Sequence, residues 1–304
     1  MEVIFEPPFE VLAPVEQSMP FVLNTAHSGR NYPERFIAQS RLDATGLRRS
    51  EDCYVDLLFA DTPLLGAPLL KAHFPRAYLD VNREPYELDP RMFEDKLPPF
   101  ANTRSMRVAG GLGSIPRIVG DGQEIYRHRL RVAEAMHRID TIYRPYHRSL
   151  RALLRETQRR FGEAILLDCH SMPSASLGNA ASLGPGTNLG FETQSRPDIV
   201  LGDRYGTSCG PALIDAVQVA FEKLGYRVAR NRPYAGGFIT EHYGQPGAAI
   251  HALQIEINRA LYMDEETLEP NAHFPKIAAD MLEMLTMTNR LLRQDGQFWR
   301  QAAE

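Results

Sequence analysis

Three apolar segments of the chain stop abruptly at polar residues. These segments lie within residues 20–29, 164–173 and 249–259. Short apolar runs bounded in this way are typical of strands that are buried on both faces of a sheet. Ligands of open α/β sheets bind beyond the carboxyl ends of such strands. The polar residues His27, His170 and Glu256 are therefore predicted to lie at the edge of one site.

The rest of the pattern predicts strands and helices that alternate along the chain. Further strands are expected at residues 69–74, 77–81, 199–201 and 225–229, and helices from Ser50 and over residues 122–160, 211–224 and 275–293. Residues 1–19 are expected to be an extended lead-in, residues 84–118 a loop or lid, residues 174–190 a mobile loop, and residues 231–244 a further loop. This order predicts a single α/β domain over residues 1–304, with a central mixed sheet flanked by helices.

Composition and charge limit the classes of partner. The 304 residues are 43% hydrophobic, and 34 basic against 38 acidic side chains give a net charge of −4. This balance offers no general attraction to nucleic acid or to an anionic membrane, so we expect a small-molecule partner. Three widely separated cysteines argue against a disulfide framework and favour the cytoplasm. We recognise neither a secretory signal nor an apolar run of about 18 residues that could span a bilayer.

Two histidines at strand ends, together with one carboxylate, predict a zinc site. Catalytic zinc takes three protein ligands and keeps a fourth position for water. His27 and His170 would supply the nitrogen ligands, and Asp52 is the favoured carboxylate because it lies at a predicted helix start soon after His27. Glu51 is the alternative ligand, whereas Asp168 could orient an imidazole from behind. An Asp at a helix start is often only a cap, so the third ligand stays open.

Glu256 is predicted to be the general base. Strand alternation places Gln254, Glu256 and Asn258 on one face of residues 253–259, with the apolar residues between them on the other face. A carboxylate on a strand beside zinc can accept a proton from the attacking water and return it to a leaving amine. The alternative for Glu256 is a structural ion pair with a nearby arginine.

Arginine is the expected partner of a substrate carboxylate, because its planar guanidinium can donate two parallel hydrogen bonds to it. Asn82 and Arg83 follow a predicted strand and are the main candidates for this contact. Arg104 and Arg107, in the predicted lid, and Arg259, after the last strand, are further candidates.

Residues 206–210 match the G-x-S-x-G pattern of serine hydrolases. Ser208 would then be the nucleophile, with Asp215 or Asp264 and His251 as partners in the chain order that such enzymes use. The preceding apolar run has only three residues, however, and four more residues separate it from the pattern. A serine hydrolase is therefore the weaker alternative.

Several stretches of the chain together form a specific set of motifs. They are Thr25-Ala-His-Ser-Gly29, Glu51-Asp-x-x-Val-Asp56, Asp80-Val-Asn-Arg83, Asp168-x-His-Ser-Met-Pro173, Arg196-Pro-Asp-Ile-Val-Leu-Gly-Asp-Arg-x-Gly-Thr-Ser-Cys209, Asn231-x-Pro-Tyr-x-Gly-Gly237 and His251-x-Leu-Gln-Ile-Glu-Ile-Asn-Arg-x-Leu-Tyr-Met-Asp-Glu265. Over most of its length the chain thereby resembles the N-formylglutamate amidohydrolase family, which is similar in architecture to zinc carboxypeptidases and aspartoacylase. The resemblance implies a fold of the zinc-exopeptidase type.

The resemblance also implies roles for individual residues. It implies metal ligation, base catalysis and substrate binding at the matching positions, which are His27 and His170, Glu256, and Asn82 with Arg83. Zinc carboxypeptidases and aspartoacylase take two ligands from H-x-x-E, but here the position three residues after His27 is Arg30. The carboxylate ligand must therefore come from elsewhere in the chain. Residues 206–210 become part of a structural turn.

We therefore expect a zinc-dependent amidohydrolase that cleaves an N-acyl acidic amino acid. The resemblance implies N-formyl-L-glutamate as the substrate, formate and L-glutamate as the products, and one zinc ion per chain. The non-enzymatic alternative is a metal-dependent binding protein that kept the fold and lost turnover. Such a protein would have lost the metal ligands or Glu256, and both are present in the sequence. The sequence leaves the oligomeric state open.

Overall fold

A mixed sheet of seven strands forms the centre of the protein. The computed structural model describes residues 5–177 and 196–295. The strands are β1 (Phe9–Leu12), β2 (Phe21–Thr25), β3 (Leu69–Ala72), β4 (Ala164–Met172), β5 (Ile199–Gly202), β6 (Val228–Arg230) and β7 (Ile250–Asn258), and their order across the sheet is β1-β3-β2-β4-β7-β5-β6. Strands β3, β2, β4 and β7 run parallel, whereas β1 and β5 pair antiparallel with β3 and β7. The predicted central mixed sheet is confirmed.

Helices flank this sheet. They are α1 (Glu34–Gln39), α2 (Ala44–Arg48), α3 (Val55–Leu58), α4 (Met106–Ala109), α5 (Val132–Arg138), α6 (Arg144–Phe161), α7 (Pro211–Lys223), α8 (Phe238–Tyr243) and α9 (Phe274–Asp295). A π-helical turn at Ile139–Tyr143 joins α5 to α6. Pro145 stands in the first turn of α6, directly after this π-helical turn.

Apolar side chains pack on both faces of the sheet. On one face, Leu23 and Leu167 join a cluster that includes the inner sides of α7 and α9. On the other face, Val22 and Leu166 join a second cluster with α5 and α6. Successive residues of a strand point to opposite faces, so β2 and β4 contribute to both clusters. Burial on both faces explains why these strands are uninterrupted apolar runs in the sequence.

The strand face that carries the second cluster becomes polar toward the carboxyl ends of the parallel strands. Asn24 of β2 is followed across the sheet by Asp168 and His170 of β4, and then by Gln254 and Glu256 of β7. The register pairs Asp168 with Gln254 and His170 with Glu256. The parallel strands thus deliver their polar residues to one edge of the sheet, as the sequence predicted.

Two predicted elements near this edge were wrong. Residues 77–81 form a turn rather than a strand, because the amides of Tyr78 and Leu79 both donate to the carbonyl of Pro75. They are apolar because they are buried in the second cluster, not because they pair in the sheet. The helix predicted from Ser50 begins only at α3, since Tyr54 has left-handed backbone with φ of 64° and cannot lie within a helix.

Three further segments differ from their predictions. Residues 123–131 are not helical, because their backbone forms isolated bridges to distant residues, such as the one between Tyr126 and Ser40. The predicted lead-in includes β1, which pairs with β3. The loop predicted at residues 231–244 includes α8.

The segment at residues 84–118 is largely irregular, as predicted, although it includes the short helix α4, and backbone hydrogen bonds join its parts to one another. The amide of Leu88 donates to the carbonyl of Asn102, and the amide of Ser114 donates to the carbonyl of Glu87. Its role as a lid stays a prediction. Most of the loop predicted at residues 174–190 lies outside the described residues.

The three cysteines, Cys53, Cys169 and Cys209, are buried and form no disulfide. Within residues 5–177 and 196–295, no helix combines the length and the apolar character that crossing a membrane requires.

Candidate active site

Three buried side chains converge at the polar edge of the sheet. His27 follows β2, His170 lies near the end of β4, and Asp52 precedes α3. Asp52 Oδ2 lies 2.9 Å from His170 Nδ1 and 3.5 Å from His27 Nδ1. One potential ligand atom from each residue lies within 4.8 Å of the others. Two imidazole nitrogens and one carboxylate oxygen are a donor set that suits zinc.

A second carboxylate lies behind each imidazole. Asp80 Oδ1 is 2.7 Å from His27 Nε2, and Asp168 Oδ2 is 3.0 Å from His170 Nε2. Each carboxylate lies where it can accept the Nε2 proton, and in the tautomer that this favours Nδ1 is available as a metal ligand. Such a partner fixes the tautomer and the ring orientation of a metal-binding histidine. This is the role that the sequence analysis suggested for Asp168, whereas Asp80 was missed even though it lies in the motif of Asn82.

The environment of His27 Nδ1 indicates that His27, Asp52 and His170 could hold a metal ion. His27 Nδ1 is buried and has no hydrogen-bond partner among the described residues, and such a group is costly unless something else satisfies it. Although burial raises the pKa of Asp52, the imidazoles of His170 and His27 outweigh it and hold this pKa well below its usual range. Asp52 is therefore ionised, as a metal ligand must be.

The other candidate for the third ligand points away from this group. Glu51 Oε2 accepts hydrogen bonds from Tyr32 Oη and from Arg48 Nε, each at 3.2 Å. Burial raises the pKa of Glu51 despite the opposing effect of Arg48. Of the two neighbouring carboxylates, the structure brings only Asp52 to the histidines.

Arg259 holds Asp52 in place rather than facing the cavity as a free cation. Its Nη2 donates to Asp52 Oδ1 at 3.0 Å, its Nε to Ser171 Oγ at 3.0 Å, and its Nη1 to the carbonyl of Arg49 at 3.3 Å. All three guanidinium nitrogens thus have protein partners. These bonds use three of its five N–H groups, and because Arg259 also lines the cavity its role in binding a substrate carboxylate stays a prediction.

Glu256 lies beside His170 on the adjacent strand, and it is buried. Its Oε1 accepts a hydrogen bond of 2.8 Å from Gln254 Nε2, and Gln254 Oε1 in turn accepts one of 2.7 Å from the amide of Gly237. The Gly237 amide thereby fixes which end of the Gln254 amide group faces Glu256. Burial raises the pKa of Glu256 to about 7, and this effect exceeds the lowering by His170. A carboxylate with a pKa near neutrality can both accept and release a proton.

A cavity of about 530 Å³ opens over these residues, and its lining is rich in arginine. The arginines that line it are Arg49, Arg76, Arg83, Arg107, Arg204 and Arg259. The acidic residues that line it are Asp52, Asp80 and Glu256. This excess of positive charge favours an anionic ligand.

Arg83 has the properties of a carboxylate-binding residue. Its Nε donates to the carbonyl of Leu112 at 3.0 Å and its Nη1 to the carbonyl of Asn82 at 2.8 Å, while Nη2 has no partner among the described residues. Burial lowers the pKa of Arg83, and the nearby Arg76 and Arg107 lower it further against the opposing effect of Asp80. An anion bound here would relieve this repulsion between cations.

The structure places two other predicted binding residues differently. Asn82 lies in the cavity wall, but its Oδ1 accepts a hydrogen bond from the amide of Ile239 at 2.7 Å, and its Nδ2 lies 3.3 Å from Asp168 Oδ2. Its amide group therefore helps to position the site. Arg104 is exposed and lies outside the cavity lining, whereas Arg107 lines the cavity.

Three arginines of the lining, Arg49, Arg76 and Arg204, were missed by the sequence analysis. Arg76 Nη2 donates to Asp80 Oδ2 at 2.9 Å, and its Nη1 lies 3.8 Å from Asp52 Oδ1. Arg204 lines the cavity from the turn that follows β5. The only sequence signal for Arg204 was its place in the motif at residues 196–209.

The serine hydrolase alternative is wrong on geometry. Ser208 is buried, and its Oγ donates to the carbonyl of Ala252 at 2.8 Å. His251 Nδ1 accepts from the amide of Gly210 instead of facing Ser208. Asp215 forms an exposed ion pair with Arg230. The exposed Asp264 uses Oδ1 to accept the amides of two residues that follow it.

Comparison with known proteins agrees with this architecture. The family model described as N-formylglutamate amidohydrolase matches residues 19–263. The chain belongs to the N-formylglutamate amidohydrolase family. The resemblance stated from the motifs is thereby confirmed, and as a member of this family the chain is a hydrolase that acts on an amide C–N bond.

Relatives of this amidohydrolase are found among both sequences and solved structures. The chain is 31% identical over 262 residues to an N-formylglutamate deformylase of Pseudomonas aeruginosa, covering 84% of this chain and 87% of the relative. It is 28% identical to an N-formylglutamate deformylase of Pseudomonas putida, with 84% of this chain and 86% of the relative covered. The crystal structure of an N-formylglutamate amidohydrolase from Ralstonia eutropha JMP134 superimposes with a TM-score of 0.84 at 35% identity, covering 95% of this chain and all of the other. An Agrobacterium tumefaciens protein, at a TM-score of 0.59 and 19% identity over 96% of this chain and 97% of its own, shares the fold.

Proposed function

We propose that the chain is a zinc-dependent hydrolase that converts N-formyl-L-glutamate to formate and L-glutamate. The observation that carries this proposal is the buried group of His27, Asp52 and His170 with Glu256 beside it, at the floor of a cationic cavity. The names of the relatives from Ralstonia eutropha and the two pseudomonads support the substrate.

His27, Asp52 and His170 are the residues that would hold the metal ion. A zinc ion bound there would polarise the formyl carbonyl and make a water molecule more acidic. Asp80 and Asp168 would favour the tautomer of the two imidazoles in which Nδ1 acts as a ligand. Arg259 holds Asp52 through Oδ1, which leaves Oδ2 on the side of the histidines.

Glu256 would move the proton that amide hydrolysis requires. Its ionised form accepts a proton from the attacking water, and its protonated form returns that proton to the nitrogen of glutamate as the C–N bond breaks. Gln254 donates to Oε1, so this oxygen remains an acceptor and the transferred proton resides on Oε2. Burial raises the pKa of Glu256 and thereby favours its protonated form, which is the one that returns the proton to the leaving nitrogen.

The charge of the cavity supports a substrate with two carboxylates. N-formyl-L-glutamate carries an α-carboxylate and a side-chain carboxylate, and the lining offers more arginines than its own acidic residues neutralise. Arg83, with Nη2 unpartnered among the described residues and Arg107 nearby, is proposed to bind the α-carboxylate.

The experiment is to measure bound metal and N-formyl-L-glutamate hydrolysis in the wild type and in two variants. We expect about one zinc per chain in the wild type and loss of metal and activity in His170→Ala. Glu256→Gln should keep the zinc but lose about 10²- to 10⁴-fold in kcat. Glu222→Gln, which changes an exposed residue of α7, is the matched control and should retain activity.

Two results would contradict the proposal. Near wild-type turnover by Glu256→Gln would show that this residue is structural. Full activity in a metal-free protein would remove zinc from the function. A protein that binds zinc and the substrate but releases no formate would support the alternative of a metal-dependent binding protein.

A further inference from the structure

The turn after β5 has a strained backbone next to the cavity. Arg204, Tyr205 and Gly206 are three consecutive residues in the left-handed region, with φ of 54°, 57° and 83°. Residues other than glycine rarely adopt this conformation, because their Cβ approaches the backbone too closely. Tyr205 is 70% exposed, so the strain does not serve to bury its ring. Strain of this kind often marks a functional position.

Asn231 locks the turn in this conformation. Its Oδ1 accepts hydrogen bonds from the amides of Asp203 at 3.2 Å and Tyr205 at 3.3 Å, and its Nδ2 donates to Asp203 Oδ1 at 2.7 Å. Asn231 is itself left-handed, with φ of 60°. Several interactions within the protein are thus used to keep Arg204 in an unfavourable backbone conformation.

This conformation brings the side chain of Arg204 across Gly236 to the cavity. The Arg204 amide donates to the carbonyl of Ala235 at 2.8 Å. A Cβ at position 236 would lie 3.1 Å from Arg204 Cδ and 3.2 Å from Cγ, and Gly236 has φ of 118°. A glycine is therefore required where the alkyl chain of Arg204 passes, and the guanidinium reaches the cavity lining.

The guanidinium of Arg204 is only weakly held by the protein. Its Nη2 pairs with Glu241 Oε2 at 2.9 Å, but the two side chains are 32% and 56% exposed. Exposed ion pairs of this kind contribute little. Its Nη1 donates to the carbonyl of Gly236 at 3.4 Å, and Nε has no partner among the described residues. Arg204 thus has donors to offer to a ligand in the cavity.

Four of the five other arginines of the lining have roles elsewhere in the site. Arg259 has partners for all three nitrogens, and Arg76 bridges Asp80 and Asp52. Arg83 is assigned to the α-carboxylate, and Arg107 adds positive charge near it. A substrate with two carboxylates needs a second cationic position elsewhere in the lining.

We propose that Arg204 binds the side-chain carboxylate of the substrate and thereby sets the preference for glutamate over its neutral analogue. This inference rests on the proposed function, because it assumes that an N-formyl amino acid occupies the cavity. In this assignment Arg204 determines specificity. Hydrolysis of the formyl group is carried out by Glu256 and the metal-binding group of the proposed function.

The test compares N-formyl-L-glutamate with N-formyl-L-glutamine, which has the same shape without the side-chain charge. A charge-assisted hydrogen bond is worth roughly ten- to hundredfold in binding, so the wild type should prefer glutamate by about that factor in kcat/KM. Arg204→Gln should lose this factor for the glutamate compound and change the glutamine compound by less than about threefold. Glu241→Gln removes the ion-pair partner but keeps Arg204, and it is the matched control that should retain the preference.

A second variant separates specificity from stability. Arg204→Gly places glycine at a left-handed position, which glycine adopts freely, so the melting temperature should not fall by more than about 2 °C while the preference disappears. Arg204→Lys should restore part of the preference.

The outcomes distinguish this inference from the proposed function. Equal losses for both compounds in Arg204→Gln, or an unchanged preference, would overturn the role of Arg204 while leaving the amidohydrolase intact. A wild type that cleaves both compounds equally well would also overturn it. A wild type that cleaves neither would refute the proposed function, and this inference with it.

Discussion

Glu163 offers a test of how burial sets the stability of this fold. It lies between the end of α6 and the start of β4, is 8% exposed, and its Oε1 has no hydrogen-bond partner among the described residues. Burial raises the pKa of Glu163 from 4.5 to about 7. The ionised form is therefore less stable in the folded protein than in the unfolded chain, and replacement by the neutral isostere Gln should remove that penalty.

The sign and the size of the effect of Glu163 on the free energy of unfolding follow from this shift in its pKa. Because the folded state holds the proton more tightly, the penalty is absent below pH 4.5, grows between pH 4.5 and 7, and is complete above pH 7. At 1.36 kcal/mol for each pKa unit, its ceiling is about 3 kcal/mol. Partial access of water to the carboxylate reduces the expected gain of Glu163→Gln to about 1–2 kcal/mol at pH 8.

The assay is chemical denaturation of Glu163→Gln and the wild type at pH 4.5 and at pH 8. The difference between the two proteins at each pH is the useful quantity, because every other titrating group contributes equally to both. We expect a gain at pH 8 and none at pH 4.5. An equal difference at the two pH values, or a loss at pH 8, would refute the reasoning and indicate that Glu163 has a partner in its ionised form.

Two further predictions concern the candidate site. Asp168 Oδ1 accepts a hydrogen bond from Asn24, and Oδ2 lies 3.0 Å from His170 Nε2. Asp168→Asn removes the negative charge and keeps only one acceptor oxygen, so zinc affinity measured by competition with a chelator should fall by about 10- to 100-fold, and affinity equal to the wild type would contradict the orienting role. Arg83→Ala should lower kcat/KM by roughly ten- to hundredfold for both N-formyl-L-glutamate and N-formyl-L-glutamine, because both carry the α-carboxylate, and an effect on only one of them would contradict the assignment.

The strand ends of the site could be predicted because two simple patterns coincide there. An apolar run buried on both faces identifies β4, and alternation places Gln254 and Glu256 on one face of β7. The register then puts Glu256 beside His170. These residues lie within strands, so the strand pattern alone was enough to predict their arrangement.

The non-strand segments next to the site, residues 77–81 and the residues before α3, could not be predicted in the same way. The apolar residues at 77–81 indicated a strand, but they are buried by tertiary packing around a turn at Pro75. Asp52 was assigned to a helix start because Ser50 resembles a cap, whereas the left-handed backbone at Tyr54 delays the helix. Both errors arise because burial and turn conformation depend on distant contacts that periodicity does not contain.

The roles of the arginines show most clearly what the sequence lacks. Arg259 and Arg204 each lie just beyond a strand, and in the sequence either could be the cation that meets a substrate. In the structure Arg259 uses all three nitrogens on Asp52, Ser171 and the backbone of Arg49, so removing it would leave a carboxylate unsupported. Arg204 retains an unpartnered Nε and an exposed ion pair. Whether an arginine supports the site or recognises the ligand is therefore decided by the donors that the folded protein leaves unused.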